Sequence, residues 1–195
     1  MNKNYSIAAI LGGTLLIFQA CSSSPPKRMT LAEIDAPKWV LKGSSAYEDS
    51  SGKAFYGVGS ASGIKNFSLQ RTASDDRARN DLAKVLEFYT KSLIQDYMAS
   101  TTSGNFTTNL EEQMIEAGIK NVASATLTGV QIIDHWEHPY RNELFSLARL
   151  ELDKFKQNLG QYEGLSESVR KAVKDRASKL HEKLEMEIMK KERLR

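Results

Sequence analysis

The chain has 195 residues, of which 27 are basic, 24 acidic and one a cysteine. That length holds one ordinary domain with a real core plus extensions. The lone thiol excludes an internal disulfide framework, and a formal charge of +3 gives a nucleic-acid partner no support.

The first segment carries a single charge, Lys3, and then the apolar block IAAILGGTLLIF from Ile7 to Phe18. Twelve helical residues span about 18 Å. This falls short of a hydrocarbon core of about 30 Å but suits the apolar region of a secretory signal. Cys21 follows, and after it SSSPPKR, linker composition that cannot bury anything. The stretch IFQAC resembles the lipobox of bacterial lipoproteins, with Phe18 and Gln19 departing from its commonest residues. The resemblance implies cleavage before Cys21, a diacylglycerol on its sulfur and an acyl group such as palmitate on its new amino terminus. The plainer alternative is an ordinary signal or membrane stub with a stray cysteine. Several acyl chains make a stable anchor where one is marginal. Ser22 stands where lipoproteins kept at the inner membrane usually have Asp, so the resemblance places the anchor at the outer membrane, on its periplasmic face.

Removal of residues 1–20 leaves 26 basic and 24 acidic residues, a net charge of +2. Residues 165–195 hold ten basic and six acidic residues, so the basic excess belongs to the tail. Residues 21–36 read as a lipidated tether. In DAPKWVL, Pro37 breaks any helix, and KWVL looks like the start of a short strand. GSSAYEDSSGK reads as a loop, and AFYGVGSASG (Ala54 to Gly63) as a strand running into a glycine-rich turn. From Asn66 the period changes: Leu69, Ala73, Leu82, Val85, Leu86, Tyr89, Leu93 and Tyr97 recur at helical steps, with Asn66 or Ser68 as cap. A second helix is expected over 109–122, with Leu110, Met114 and Ile115 inward. LTGVQIIDHWEHPYRNELFSLARLEL reads as a β-hairpin turning at Pro139 and Asn142, apolar on more than one face and therefore covered on both. A short helix after Leu152 leads to a hinge at NLGQYEG. Leu165, Val169, Val173, Leu180, Leu184 and Ile188 then set the apolar stripe of a last, basic helix. This order predicts an α+β domain over residues 37–160: a small, mainly antiparallel sheet of three or four strands, packed by a long helix. The amphipathic helix of residues 161–195 follows it.

Three motifs invite chemistry. GVGSASG follows a strand and precedes a helix, but Gly57, Gly59 and Gly63 give GxGxxxG and no acidic strand end follows, so a bulge or tight strand exit is the better reading than a nucleotide site. DHWEH gathers Asp134, His135, Glu137 and His138; on a strand His135 and Glu137 share a face while His138 points into the turn, so a polar hairpin tip outweighs a metal site. SDDRARNDLAK spaces Asp75, Asp76, Arg77, Arg79 and Asp81 along one helix, the pattern of a solvated, ion-paired face. No nucleophile motif is present, so an enzyme is not expected, nor a metal or cofactor beyond the lipid on Cys21. The tail helix can close its own domain or pack on another subunit, form a coiled coil, or lie on a membrane.

PKWV, then FYGVGSASG, then SLQRTASDDRARNDLAKVLEFY resembles the lipoprotein-20 family of bacterial outer-membrane lipoproteins, which includes flagellar lipoproteins of the FlgP type. The likeness covers roughly residues 36–155 and rests on Trp39, Gly57, Gly59, Ala73, Ala78, Arg79, Leu82 and Ala83. It implies a small α+β domain that stacks into envelope assemblies, with Trp39, Gly57, Gly59 and Arg79 as interaction positions and no catalytic residue. The expectation is a membrane-anchored, self-associating structural lipoprotein that supports flagellar motility or another envelope assembly. The alternative is a monomeric periplasmic module that binds a ligand or partner near GVGSASG and the hairpin.

Overall fold

The structure, a computed structural model, describes residues 29–101 and 109–194; the lipobox, Cys21 and residues 22–28 of the tether lie outside the described residues. Four strands, β1 (Ala46–Asp49), β2 (Gly52–Ser62), β3 (Gln131–Glu137) and β4 (Glu143–Glu151), form one sheet in the order β1-β2-β4-β3. Every neighbour pair is antiparallel. The helices are α1 (Lys38–Lys42), α2 (Phe67–Thr101), α3 (Asn109–Thr126), α4 (Leu152–Gln161) and α5 (Glu167–Arg193). The architecture is α+β.

Strand alternation divides the sheet into two apolar faces. Phe55, Ala148 and Leu150 face the main core, shared with α2, α3, α4 and α5. Tyr56, Phe145 and Leu147 face the opposite way and are covered by the short segment carrying Ala36, Trp39 and Val40. The hairpin strand β4 is thus apolar on both sides because both sides are covered, whereas the edge strand β3 has no buried residue and Ile133 is exposed, which corrects the expectation for that strand.

The long helix starts where Asn66 Oδ1 accepts the Leu69 N–H at 3.1 Å, an N-cap bond, while Ser68 already lies inside the helix. Leu82, Leu86, Tyr89, Leu93 and Tyr97 are all buried, as their spacing predicts. Thirty-five residues of helix run about 52 Å, well beyond the 11-residue strand β2, so the second half of α2 packs against helices rather than strands. Its partners there are α3 and α5. Ile119, Val122, Val173 and Ala177 join the same core, and the Tyr89 hydroxyl donates to Ala177 O at 2.7 Å. Arg176 sits over the Tyr97 ring at 5.2 Å. The tail helix therefore closes its own domain, with Ser166 capping its start through the Val169 N–H.

Several local expectations are corrected. KWVL is helix α1, not a strand: Pro37 supplies an extended N-cap residue (ψ 147°), and Gly43 at φ 73° stops the helix after five residues. Strand β1 lies inside the expected loop GSSAYED and pairs with the start of β2. Part of the expected tether is ordered, with a 3-10 turn at Ala32–Ile34 and Ala36 buried against Val40 and Phe145. Leu69 is exposed, and in α3 so are Leu110 and Met114. The buried stripe of α3 is Ile115, Ile119, Val122 and Ala123, at the i, i+4, i+7, i+8 spacing of one helix face.

Candidate functional site

Gly57 and Gly59 are where α2 meets the sheet, and they explain its path. Their missing side chains let helix backbone touch strand backbone. A Cβ on Gly57 would lie 2.4 Å from Ala78 O and from Leu82 N; one on Gly59 would lie 2.2 Å from Ala78 N. Both glycines belong to continuous β2, so the reading of a bulge or strand exit is corrected: the strand ends only at Gly63, at φ 74°.

This close approach puts polar residues of α2 onto β2 itself. β1 is short and covers only the start of that edge. Further along, the Val58 N–H donates to Asp81 Oδ2 at 2.9 Å, and Arg77 Nη1 donates to Ser60 O at 2.5 Å. The helix therefore supplies partners that a further strand would otherwise provide. Gln70 Nε2 donates to Ala61 O at 3.0 Å. SDDRARNDLAK is thus only partly the solvated face expected; Asp76 and Arg79 keep that role as an exposed pair at 3.1 Å.

A second polar cluster ties α2 to β3 and β4. Asp75 Oδ1 lies 2.7 Å from His135 Nε2 and accepts from the Ser146 hydroxyl, also at 2.7 Å. Ser146 Oγ is 2.8 Å from Ser74 Oγ, and Ser74 donates toward Leu144 O at 3.0 Å. Serine, histidine and aspartate are the components of a hydrolase triad, but their order here is different. The histidine and the serine both address the carboxylate, the serine is fully buried, and the imidazole does not reach its hydroxyl. What the group does is hold a helix to two strands through charge-assisted hydrogen bonds, each worth roughly 1.5–3 kcal/mol.

DHWEH divides accordingly. His135 turns to Asp75, while Asp134 Oδ2, on the other face, accepts the Trp39 indole N–H at 2.9 Å. His138 is buried at the hairpin tip beside Trp136 and Tyr140. His181 lies elsewhere, edge-on to Phe55 with Nε2 3.2 Å from Ala54 O. Among the described residues no three His, Cys, Asp or Glu side chains are grouped to hold a metal ion.

Of the expected interaction positions, Gly57 and Gly59 come together under α2. Trp39 lies across the sheet from them, and Arg79 faces solvent. Helix backbone fills the space over Gly57 and Gly59, while Gly63 has nothing within 4 Å. An open groove of about 930 Å³ lies instead between α2 and α3. Leu86, Ile94, Met98 and Leu127 line it, with Lys84, Lys91 and Lys120 among its polar residues. Sequence reading missed this groove. Its one signal is that the apolar positions of α2 continue past Leu93, beyond the reach of the sheet.

The edge beside β1 carries one more ionic group. Arg149 Nε lies 3.2 Å from the Tyr56 hydroxyl and 3.5 Å from Asp49 Oδ2, and its Nη1 donates to Glu151 at 2.8 Å. Partial burial pushes the Asp49 carboxyl up, but the Tyr56 hydroxyl, the Ser51 N–H and Arg149 outweigh it and hold the group below the usual carboxylate range. Burial, followed by the Asp49 hydrogen bond, pushes the Tyr56 hydroxyl well above an ordinary tyrosine.

No protein-family model matches the chain, and no curated protein matches it.

Proposed function

We propose that this chain is a membrane-anchored structural lipoprotein of the bacterial envelope, lipidated on Cys21 and self-associating at the periplasmic face of the outer membrane. The observation that carries the reading is the run of Lys3, the apolar block 7–18, IFQAC and a serine-proline linker, placed directly ahead of a closed domain. Among the described residues no helix is long and apolar enough to cross a membrane. The resemblance to the lipoprotein-20 family, carried by Trp39, Gly57, Gly59, Ala73, Ala78, Arg79, Leu82 and Ala83, adds support of flagellar motility as the proposed role. Two of those positions, Gly57 and Gly59, have a structural reason to be glycine, and that supports the motif as a folding requirement.

Swimming in soft agar tests the flagellar part, comparing a deletion strain with one carrying Cys21→Ser. Loss of swimming in both, with normal growth, supports an anchored assembly role; parental swimming in both removes the flagellar role.

A second reading, a monomeric partner-binding module, is favoured by the α2–α3 groove. The size of the chain from Ser22 to Arg195 in solution separates the two: a large ring supports assembly, and a monomer supports the module.

A further inference from the structure

The end of the domain from which the tether departs has its own surface chemistry. The β2–α2 turn and the β3–β4 hairpin tip meet there: the Gly63 N–H donates to Asn142 O at 3.3 Å, and Asn142 Nδ2 donates to Ile64 O at 3.2 Å. The chain reaches the same end from its amino-terminal side. Leu31 packs against the cluster of Ala36, Val40 and Phe145, and Phe145 pairs with Trp136 near the tip of that hairpin. Only seven residues lie between Cys21 and Met29, eight steps that together span at most about 28 Å of extended chain. A lipid on Cys21 therefore keeps this end within reach of the bilayer.

Large apolar side chains point outward here. Phe67 is 56 % exposed, Leu69 59 % and Tyr140 71 %. Lys65, Arg71 and Arg141 are exposed around them; Arg141 lies 3.2 Å from the partly buried Glu143, and Glu137 is exposed at the end of β3. Phe67 has no role in the core although it is the first residue of α2, and Tyr140 is the outermost residue of a tight hairpin. Exposed aromatic and basic side chains together on one end match the headgroup layer of an anionic bilayer, where rings sit at the interface and cations meet phosphate.

We infer that this end of the domain, centred on Phe67 and Tyr140, rests on an anionic phospholipid surface, so that the domain lies against the membrane. The inference rests on the anchor reading, which supplies the nearby bilayer, and it deepens that reading by assigning the orientation.

The test uses the chain from Ser22 to Arg195, which keeps every residue of the core. It is sedimented with vesicles rich in phosphatidylglycerol and, separately, with pure phosphatidylcholine vesicles. The expected result is binding to the anionic vesicles that falls roughly tenfold in a Phe67→Ser, Tyr140→Ser double variant. Phe88→Ser, which removes a similarly exposed ring about 31 Å farther along α2, is expected to leave binding unchanged. Circular dichroism checks that each variant is folded. Absence of binding, or equal loss with Phe88→Ser, overturns the inference. So does a double variant that alters only the oligomer size without lipid, because a second copy then covers the patch. Failure of the anchor reading shows separately, as an unmodified Cys21 in the chain isolated from cells, and it removes the premise whatever the vesicles do.

Discussion

Replacement of Gly57 by alanine isolates the contact between α2 and the sheet. The new methyl group would meet Ala78 O and Leu82 N at 2.4 Å and Leu82 Cβ at 2.6 Å. All three belong to helix backbone or its first side-chain carbon, so no rotamer change relieves the clash. An ordinary contact needs about 1 Å more, and α2 must move by that much. Such a displacement strains the Val58–Asp81 and Ser60–Arg77 bonds, which depend on the same approach. Overpacking costs up to about 3 kcal/mol, and one weakened hydrogen bond adds about 1 kcal/mol. The expected loss is therefore about 4 kcal/mol, a large part of a typical 5–15 kcal/mol. Denaturant unfolding of the Ser22–Arg195 chain, followed by circular dichroism, measures it. Glycine to alanine within an unconstrained strand would instead stabilise by roughly 0.4–1 kcal/mol through the unfolded state. A Gly57→Ala variant as stable as the parent, or more so, refutes the reasoning.

Gly63→Ala provides a contrast of mechanism: nothing stands within 4 Å of its new methyl, so only the φ of 74° is strained, and the loss in the same unfolding assay is expected to be about 1–2 kcal/mol. Tyr89→Phe removes the buried bond to Ala177 O and is expected to cost about 1–3 kcal/mol because that carbonyl loses a partner; no change would mean that α5 is not held to α2 there. Asp49→Asn is expected to flatten the acid limb of the stability curve. The folded carboxyl titrates below its ordinary value, so its contribution is present above an unfolded value of about 3.9 and is lost as pH falls through the folded one. The gap between parent and variant in urea titrations should accordingly narrow toward pH 3, and a gap independent of pH would assign Asp49 no charged role.

Periodic positions were legible wherever one partner surface runs the length of an element. Leu82 to Tyr97 follow the period of α2 because a core lies beneath the helix throughout. Short elements were not: α1 has five residues and β1 four, too few for either period to show. What decides β1 is the exposed edge of β2, a tertiary fact. Met114 illustrates the limit within a helix, since it is apolar and at helical spacing yet one step off the buried stripe of Ile115 and Ile119. The glycines of GVGSASG were visible, but their purpose was not, because the helix that touches Gly57 begins ten residues later. The Asp75–His135–Ser146 cluster joins residues about 60 and 70 positions apart. Each looks like an ordinary polar residue until α2 is laid on the sheet. Trp39 was singled out within an expected strand; it belongs to a helix, and its bond to Asp134 spans 95 positions.

Intact mass spectrometry of the chain isolated from membranes tests the anchor most directly. The account predicts a polypeptide that begins at Cys21 and carries the added mass of a diacylglycerol and an amide-linked acyl chain, with that mass absent from Cys21→Ser. A chain retaining residues 1–20, or one with an unmodified Cys21, would contradict it.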